Sequence, residues 1–169
     1  MTSPIHSLTF QTARPENARD VAVLLDLAFG PGRFAKTAAR LREGNRPIEA
    51  LSLLAFEGDN LRASVQFWPI LIGSDPALLL GPLAVDPAER GRGIGLSLMA
   101  HGLDKARGLG HGRVVLVGDA PYYAKVGFVP APSGAMTMPG PVDPARLLVR
   151  ELTDGTMAGV GGKISACPA

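Results

Sequence analysis

The chain has 169 residues, 46% hydrophobic and 19% charged, with a formal net charge of +2. That is enough for one packed core, and too evenly charged to point to a nucleic-acid or anionic-membrane partner. The longest apolar runs, such as "LLLGPLAV" at 78–85, are too short to span a bilayer, and "MTSPIHSLTF" lacks the basic-then-apolar pattern of a secretion signal. Cys167, the single cysteine, excludes an internal disulfide, so one cytoplasmic domain over 1–169 is expected.

"LTFQTAR" (8–14) alternates like a first strand, and 15–30 places Ala18, Val21, Ala22, Leu25 and Phe29 at helical spacing before the Gly30-Pro31-Gly32 stop. "RFAKTAARLREGN" (33–45) predicts a second, more polar helix with its exit at Gly44. Residues 48–73 predict a hairpin turning at Gly58-Asp59-Asn60, with Pro69 suggesting a bulge or an edge position. "ALLLGPLAVDP" (77–87) predicts a buried strand broken at Gly81-Pro82, and 93–110 a helix with Leu96, Met99, Leu103 and Ala106 along one side. "RVVLVG" (113–118) has the continuous apolar character of a doubly covered strand. "DAPYYAKVG" (119–127) predicts a short helix capped by Asp119, with Pro121 in its first turn. "FVPA" opens another strand, a Pro/Gly-rich loop spans 130–144, and "LLVRELT" and "MAGVGGKIS" supply the last strands. The sum is an α/β domain.

Between the strand ending at Val85-Asp86-Pro87 and the helix at 94 lies "ERGRGIG". A Walker loop is excluded because no Gly-Lys-Ser/Thr follows, and a dinucleotide fingerprint because Leu96 and Leu98 stand where its third glycine belongs. What remains is a glycine turn that aims successive amides and the positive end of a helix dipole at one point, a cradle for a pyrophosphate. Glycines at 93 and 95 would keep side chains out of its approach. The plain alternative is a strand-to-helix turn with no ligand.

A second motif follows about thirty residues later, where "YAKVGF" runs from Tyr123 to Phe128. Arg90-x-x-Gly93-x-Gly95 and Tyr123-x-x-x-Gly127-Phe128, in that order, resemble the GNAT-type N-acetyltransferases, and the sequence looks most like their bacterial YhbS-like branch. The resemblance covers 8–166. It implies the GNAT acyl-CoA N-acyltransferase fold, an α/β architecture whose mixed central sheet is splayed between its fourth and fifth strands with helices on both faces. It also implies transfer of an acetyl group from acetyl-CoA to a primary amine of a small molecule or protein, by direct attack and without a metal. By the match, the backbone of Leu83, Ala84 and Val85 would bind the pantetheine and the thioester carbonyl. The amides of Arg90, Gly91, Arg92, Gly93, Ile94 and Gly95 would hold the pyrophosphate, with the Arg90 and Arg92 side chains near the phosphates. Leu96 and Ser97 would lie in the adjoining helical turn, and Tyr123 would protonate the departing thiolate.

"LLLGPLAV" carries no carboxylate to take the amine proton. Asp119 and Glu57 are the acids nearest to that role, and the residues do not choose between them and water. Tyr122 reads as core filler, Trp68 as sheet packing with a substrate-wall role open, and Cys167 as inert. His6, His101 and His111 have no metal-ligand spacing. Arg33, Lys36, Arg40 and Arg42 outnumber Glu43 in the second helix, which disfavours polycationic acceptors. Dimerisation through the last strands is common in the family, so the Gly-rich tail is a candidate homodimer edge. The alternative function is a non-catalytic acyl-CoA-binding sensor or partner-binding module.

Overall fold

The computed structural model describes residues 8–30 and 37–168. In chain order its elements are β1 (Leu8–Thr12), α1 (Ala18–Phe29), β2 (Leu53–Glu57), β3 (Asn60–Val65), β4 (Phe67–Ile72), β5 (Asp75–Leu80) and β6 (Ala84–Val85). Then come α2 (Ile94–Gly108), β7 (Arg113–Val117), α3 (Ala120–Ala124), β8 (Val129–Pro130), β9 (Met136–Thr137), β10 (Leu147–Glu151) and β11 (Gly162–Ala166). The strands form two connected sheets, ordered β1-β2-β3-β6 and β8-β10-β7-β5-β4-β11-β9. All pairings are antiparallel except β5 with β7 and β9 with β11.

The predicted hairpin forms β2 and β3, closed by the pair Glu57↔Asn60, but its second arm is longer than a hairpin needs. It bends at Gln66 and continues as β4, which leaves β2 and pairs with β5 on one side and β11 on the other. The bulge lies in β2 between Ala55 and Phe56 rather than at Pro69. Pro69 is tolerated inside the sheet because its carbonyl, and with it the missing N–H, faces the end of β11, where Cys167 N–H donates to Pro69 O at 3.2 Å.

The strand expected at 77–87 is two pieces. β5 pairs with β7 only through Leu78↔Val114 and Leu79↔Val115, and after the Gly81-Pro82 break β6 pairs with β3 alone. A gap therefore opens between β6 and the C-terminal end of β7. This is the splay that the family resemblance implies, here between β6 and β7, and with a cause: the chain changes neighbours at residues 81–83.

Two apolar clusters cover the sheets. On one face, Ile94, Leu98, Met99, Leu103 and Ala106 of α2 pack on Leu53, Ala55, Ala63, Val65 and Phe67. Strand alternation turns Leu54 and Ser64, both buried, to the opposite face, where α1 packs on β3 and β6. Helices thus lie on both faces. The second cluster joins Leu41, Ile70, Leu79, Val115, Met136, Met138 and Ile164.

The second helix of the sequence reading does not form within the described residues. Residues 33–36 of that prediction lie outside them, and the remainder is a 3-10 turn over Thr37–Leu41. Long-range bonds hold it in this shape. Thr37 Oγ1 donates to Pro141 O at 2.5 Å, Arg40 Nη1 to Pro139 O at 2.8 Å, and Asn45 Nδ2 to Pro69 O at 2.8 Å.

Candidate active site

A cleft of about 640 Å³ occupies the splay. Its walls are Leu25 and Phe29 of α1, Ala38, Ala39, Arg42 and Glu43 of the 3-10 segment, and Gln66 and Trp68 at the β3–β4 bend. Leu80, Gly81, Pro82 and Leu83 form the broken strand's side, and Leu116, Val117, Gly118 and Asp119 the opposing side, with Tyr122, Tyr123 and Arg146 beside them. The break is pinned from both sides, since Gly81 N–H donates to Gln66 O at 2.8 Å and Trp68 Nε1–H donates to Gly81 O at 2.7 Å.

The register of β6 decides which backbone groups face the gap. Asp86 N–H donates to Arg62 O at 2.8 Å, and the pairs that precede it are Ala63↔Val85 and Ser64↔Ala84. Antiparallel alternation then turns the backbone groups of Ala84 towards β3 and those of Val85 into the gap. This corrects the expectation for Ala84, whose fully buried position and ladder bonds leave it nothing to offer a ligand. Leu83 lines the cleft itself.

Beyond Leu83 and Tyr122, which close this end of the cleft against Gly95, lies the glycine loop. Gly91 and Gly93 have φ of +86° and +76°, and a Cβ on either would meet nothing within 4 Å, so they are required by backbone conformation. Gly93 is the N-cap of α2 in the left-handed region, with no side-chain cap. The amides of Ile94, Gly95 and Leu96 therefore start the helix without intrahelical partners. Ser97 N–H is already bonded to Gly93 O at 3.0 Å, so only its exposed hydroxyl is free for the role expected of that residue.

Gly95 differs from its neighbours. A Cβ there would stand 2.8 Å from Val85 Cγ2 and 2.9 Å from the Tyr122 hydroxyl. Its missing side chain makes room for Tyr122 and Val85 rather than for a ligand, which corrects the reason given from sequence. The side chain of Ile94 is buried under α2, and Leu96 packs partly against the same core.

The two arginines of the loop have different fates. Arg90 is exposed, with no hydrogen bond or ion pair among the described residues. Arg92 is only 11% exposed and is bound to Glu57 Oε2 at 2.6 Å, to Glu57 Oε1 at 3.1 Å and to Glu89. Its Nε is buried without a hydrogen-bond partner. The expectation that Arg92 stands near the phosphates is corrected: its guanidinium ties the loop to β2. Arg62 extends the network to Glu57, Asp86 and Glu89 at 3.2, 3.8 and 3.4 Å. The hydrogen bonds from Arg92, with those from Arg62, hold the Glu57 carboxyl down to about 2, and the same bonds raise Arg92. Glu57 is held in this network and does not line the cleft, which removes it as a candidate base.

On the opposite wall, Asp119 caps α3 by accepting Tyr122 N–H at 3.2 Å, as expected, and this short helix presents both tyrosines to the cleft. The Tyr123 ring packs against Gly118, where a Cβ would stand 2.3 Å from its Cε2. It packs edge-on against Tyr122 and Phe128, with centroids 5.0 and 6.2 Å away. Burial first, and Tyr122 second, push its hydroxyl up to about 12, so the phenol keeps its proton throughout the neutral range. Tyr122, read from sequence as core filler, is a wall of the cleft.

His6 falls outside the described residues, and His101 and His111 do not line the cleft. Arg42, Gln66 and Arg146 do, and no sequence motif marked them. They come together only because the 3-10 segment, the β3–β4 bend and the turn just before β10 converge on the gap. No helix among the described residues is long and apolar enough to cross a membrane.

Known proteins share these features. Residues 18–128 match the acetyltransferase (GNAT) family. The uncharacterized N-acetyltransferase YjhQ of Escherichia coli K12 is 33% identical over 141 residues, covering 81% of this chain and 77% of its own. The crystal structure of Escherichia coli YhbS in complex with CoA superposes with a TM-score of 0.82 at 27% identity, covering 99% of this chain and 93% of that one. A GNAT acetyltransferase from Brucella melitensis in complex with acetyl-CoA gives 0.61 at 29% identity, covering 85% and 95%. With the family matched across α1, the glycine loop and the tyrosine helix, this chain belongs to the GNAT acetyltransferases.

Proposed function

We propose that this protein transfers the acetyl group of acetyl-CoA to a primary amine by direct attack. The observation that carries the reading is the splay: a gap with the main chain of Val85 on one side, Tyr123 on the other, and unpartnered amides just beyond. The amides of 94–96, the φ-positive turn before them and the exposed Arg90 suit a pyrophosphate. The backbone of Val85 and Leu83 suits an extended pantetheine, which would fill the missing strand position between β6 and β7.

In the reaction, the amine nitrogen bonds to the thioester carbonyl carbon, and negative charge develops on the carbonyl oxygen. A main-chain N–H facing the gap stabilises that charge. The C–S bond then breaks, and the thiolate takes a proton from the Tyr123 hydroxyl. The amine sheds its proton to water or to Asp119, the one acid on this wall. The products are CoA and the N-acetyl amine. Positioning the two reactants in one closed gap supplies much of the remaining acceleration.

The test is to incubate acetyl-CoA with a panel of amines and follow both free thiol and acetylated product by mass. One product per thiol, dependent on amine, supports the reading. Tight acetyl-CoA binding with no acceptor-dependent thiol, unaffected by Tyr123→Phe, would instead favour the sensor.

A further inference from the structure

The charged side chains lining the cleft are Arg42, Glu43, Asp119 and Arg146. Three of them are exposed, and Arg42 alone is half-buried. Asp119 is engaged as the α3 cap. The Arg42 guanidinium has no hydrogen bond and no ion pair among the described residues, and burial lowers its pKa, the mark of a group that has lost water without gaining a counter-ion. Its Nη1 lies 3.9 Å from where a Cβ on Gly81 would stand, beside the break in the strand.

The backbone beneath this arginine is held in place. The segment that carries it is fastened at Thr37, Arg40 and Asn45 by the three long-range bonds described above. Arg40, two residues earlier, uses its guanidinium on Pro139 O, and Gly140 leaves room for it to do so. The segment thus splits its two arginines, one for structure and one turned into the cleft. A partly desolvated guanidinium with free donors, on a fastened segment, is suited to a carboxylate, which it can grip with two parallel bonds. Around it the walls are apolar: Trp68, locked by its bond to Gly81 O, with Leu25 and Phe29.

We propose that the acceptor is a small amine that also carries a carboxylate and an apolar body, its carboxylate bound by Arg42 and its body resting against Trp68. This rests on the acetyltransferase reading above. It goes beyond that reading by naming the acceptor class, and it makes Arg42 a specificity-determining residue.

The test compares matched acceptors on the wild-type protein: apolar α- and β-amino acids, their carboxamides, the corresponding simple alkylamines, and diamines. Acids are expected to exceed their amides in kcat/KM by about 10- to 100-fold, mostly through KM, as a charge-assisted pair is gained or lost. Arg42→Gln should collapse that preference, and Arg42→Lys should restore part of it. Acetyl-CoA affinity, measured separately by calorimetry, should stay the same and so report that the variants are folded. A second readout needs no turnover. With CoA present, N-acetyl amino acids should raise the melting temperature of the wild type, and N-acetyl amino amides should not. Amides or diamines used as well as acids, no shift with any N-acetyl amino acid, or a preference that survives Arg42→Gln would each overturn the proposal while acetyl-CoA binding keeps the broader reading intact. Absence of acetyl-CoA binding to the wild type would overturn both.

Discussion

At the glycine-loop end of the cleft, the groups offered to a ligand belong to the main chain. They are the first amides of α2 and the strand edge at Val85, with Arg90 and the Ser97 hydroxyl the exposed side-chain groups beside them. At the Arg42 end they belong to side chains, drawn from α1, the 3-10 segment, the β3–β4 bend and the turn just before β10. The first end is stiffened by charge: Arg92 and Arg62 tie the loop to Glu57, Asp86 and Glu89. The second is stiffened by hydrogen bonds to carbonyls, from Thr37, Arg40, Asn45 and Trp68. A main-chain site tolerates almost any side chain provided the turn is kept, so it serves a ligand part that never varies. A side-chain site can be rebuilt without disturbing the turn, and suits the partner that differs from one relative to the next.

Substitutions can break this division at either end. The largest effect on acetyl-CoA binding is expected from Gly95→Val. Its new side chain would collide with Val85 and with the Tyr122 hydroxyl, at 2.8 and 2.9 Å from Cβ. Overpacking of this kind costs about 1–3 kcal/mol, and forcing Tyr122 off the first turn of α2 should weaken acetyl-CoA binding by about 100-fold, read by calorimetry. Next, Tyr123→Phe should lower kcat by about 10²- to 10³-fold while KM for acetyl-CoA stays within a few-fold, the pattern of a lost proton donor. Because burial holds that hydroxyl near 12, the wild-type rate should show no alkaline fall up to about pH 10. A descending limb between pH 8 and 10 would contradict the raised hydroxyl, and one that persists in Tyr123→Phe would belong to another group.

A smaller effect tests the ionic brace. Glu57 is held near 2 against an ordinary 4.5, so its contribution to stability is fully present above pH 4.5 and is lost as the pH falls towards 2. Arg92→Gln should flatten the acid limb of a denaturation profile over that window and lower acetyl-CoA affinity by about tenfold. An unchanged profile would mean that the network does not set the loop. The smallest effect is expected from Trp68→Phe, which loses the bond to Gly81 O, worth about 1 kcal/mol. It should raise acceptor KM a few-fold and leave acetyl-CoA affinity alone. A change confined to acetyl-CoA would invert the assignment of the two ends.

The same division explains what could be read in the sequence. The glycine loop is contiguous, and its spacing excludes other phosphate loops without any structure. Asp119, Pro121 and the paired tyrosines likewise form one short stretch whose capping is local. What needed the fold was every fact that depends on register or on a distant partner. Ala84 and Val85 look alike in sequence, and only pairing with β3 decides which of them faces the gap. Arg90 and Arg92 look alike too, until Glu57, thirty-five residues earlier, claims one of them. The helix expected at 33–45 carries helical propensity, but tertiary bonds to residues 139 and 141 hold its described part in a 3-10 turn. Arg42 stands in the sequence only as one of four basic residues at 33–42, because an unpaired guanidinium is defined by what is missing around it.

The account is tested most directly by the structure of the complex with acetyl-CoA. The pyrophosphate oxygens are expected within about 3.2 Å of the amides of Ile94, Gly95 and Leu96, the pantetheine along Val85, and the sulfur in the gap facing the Tyr123 hydroxyl. A pyrophosphate bound elsewhere, or a sulfur out of reach of Tyr123, would contradict it.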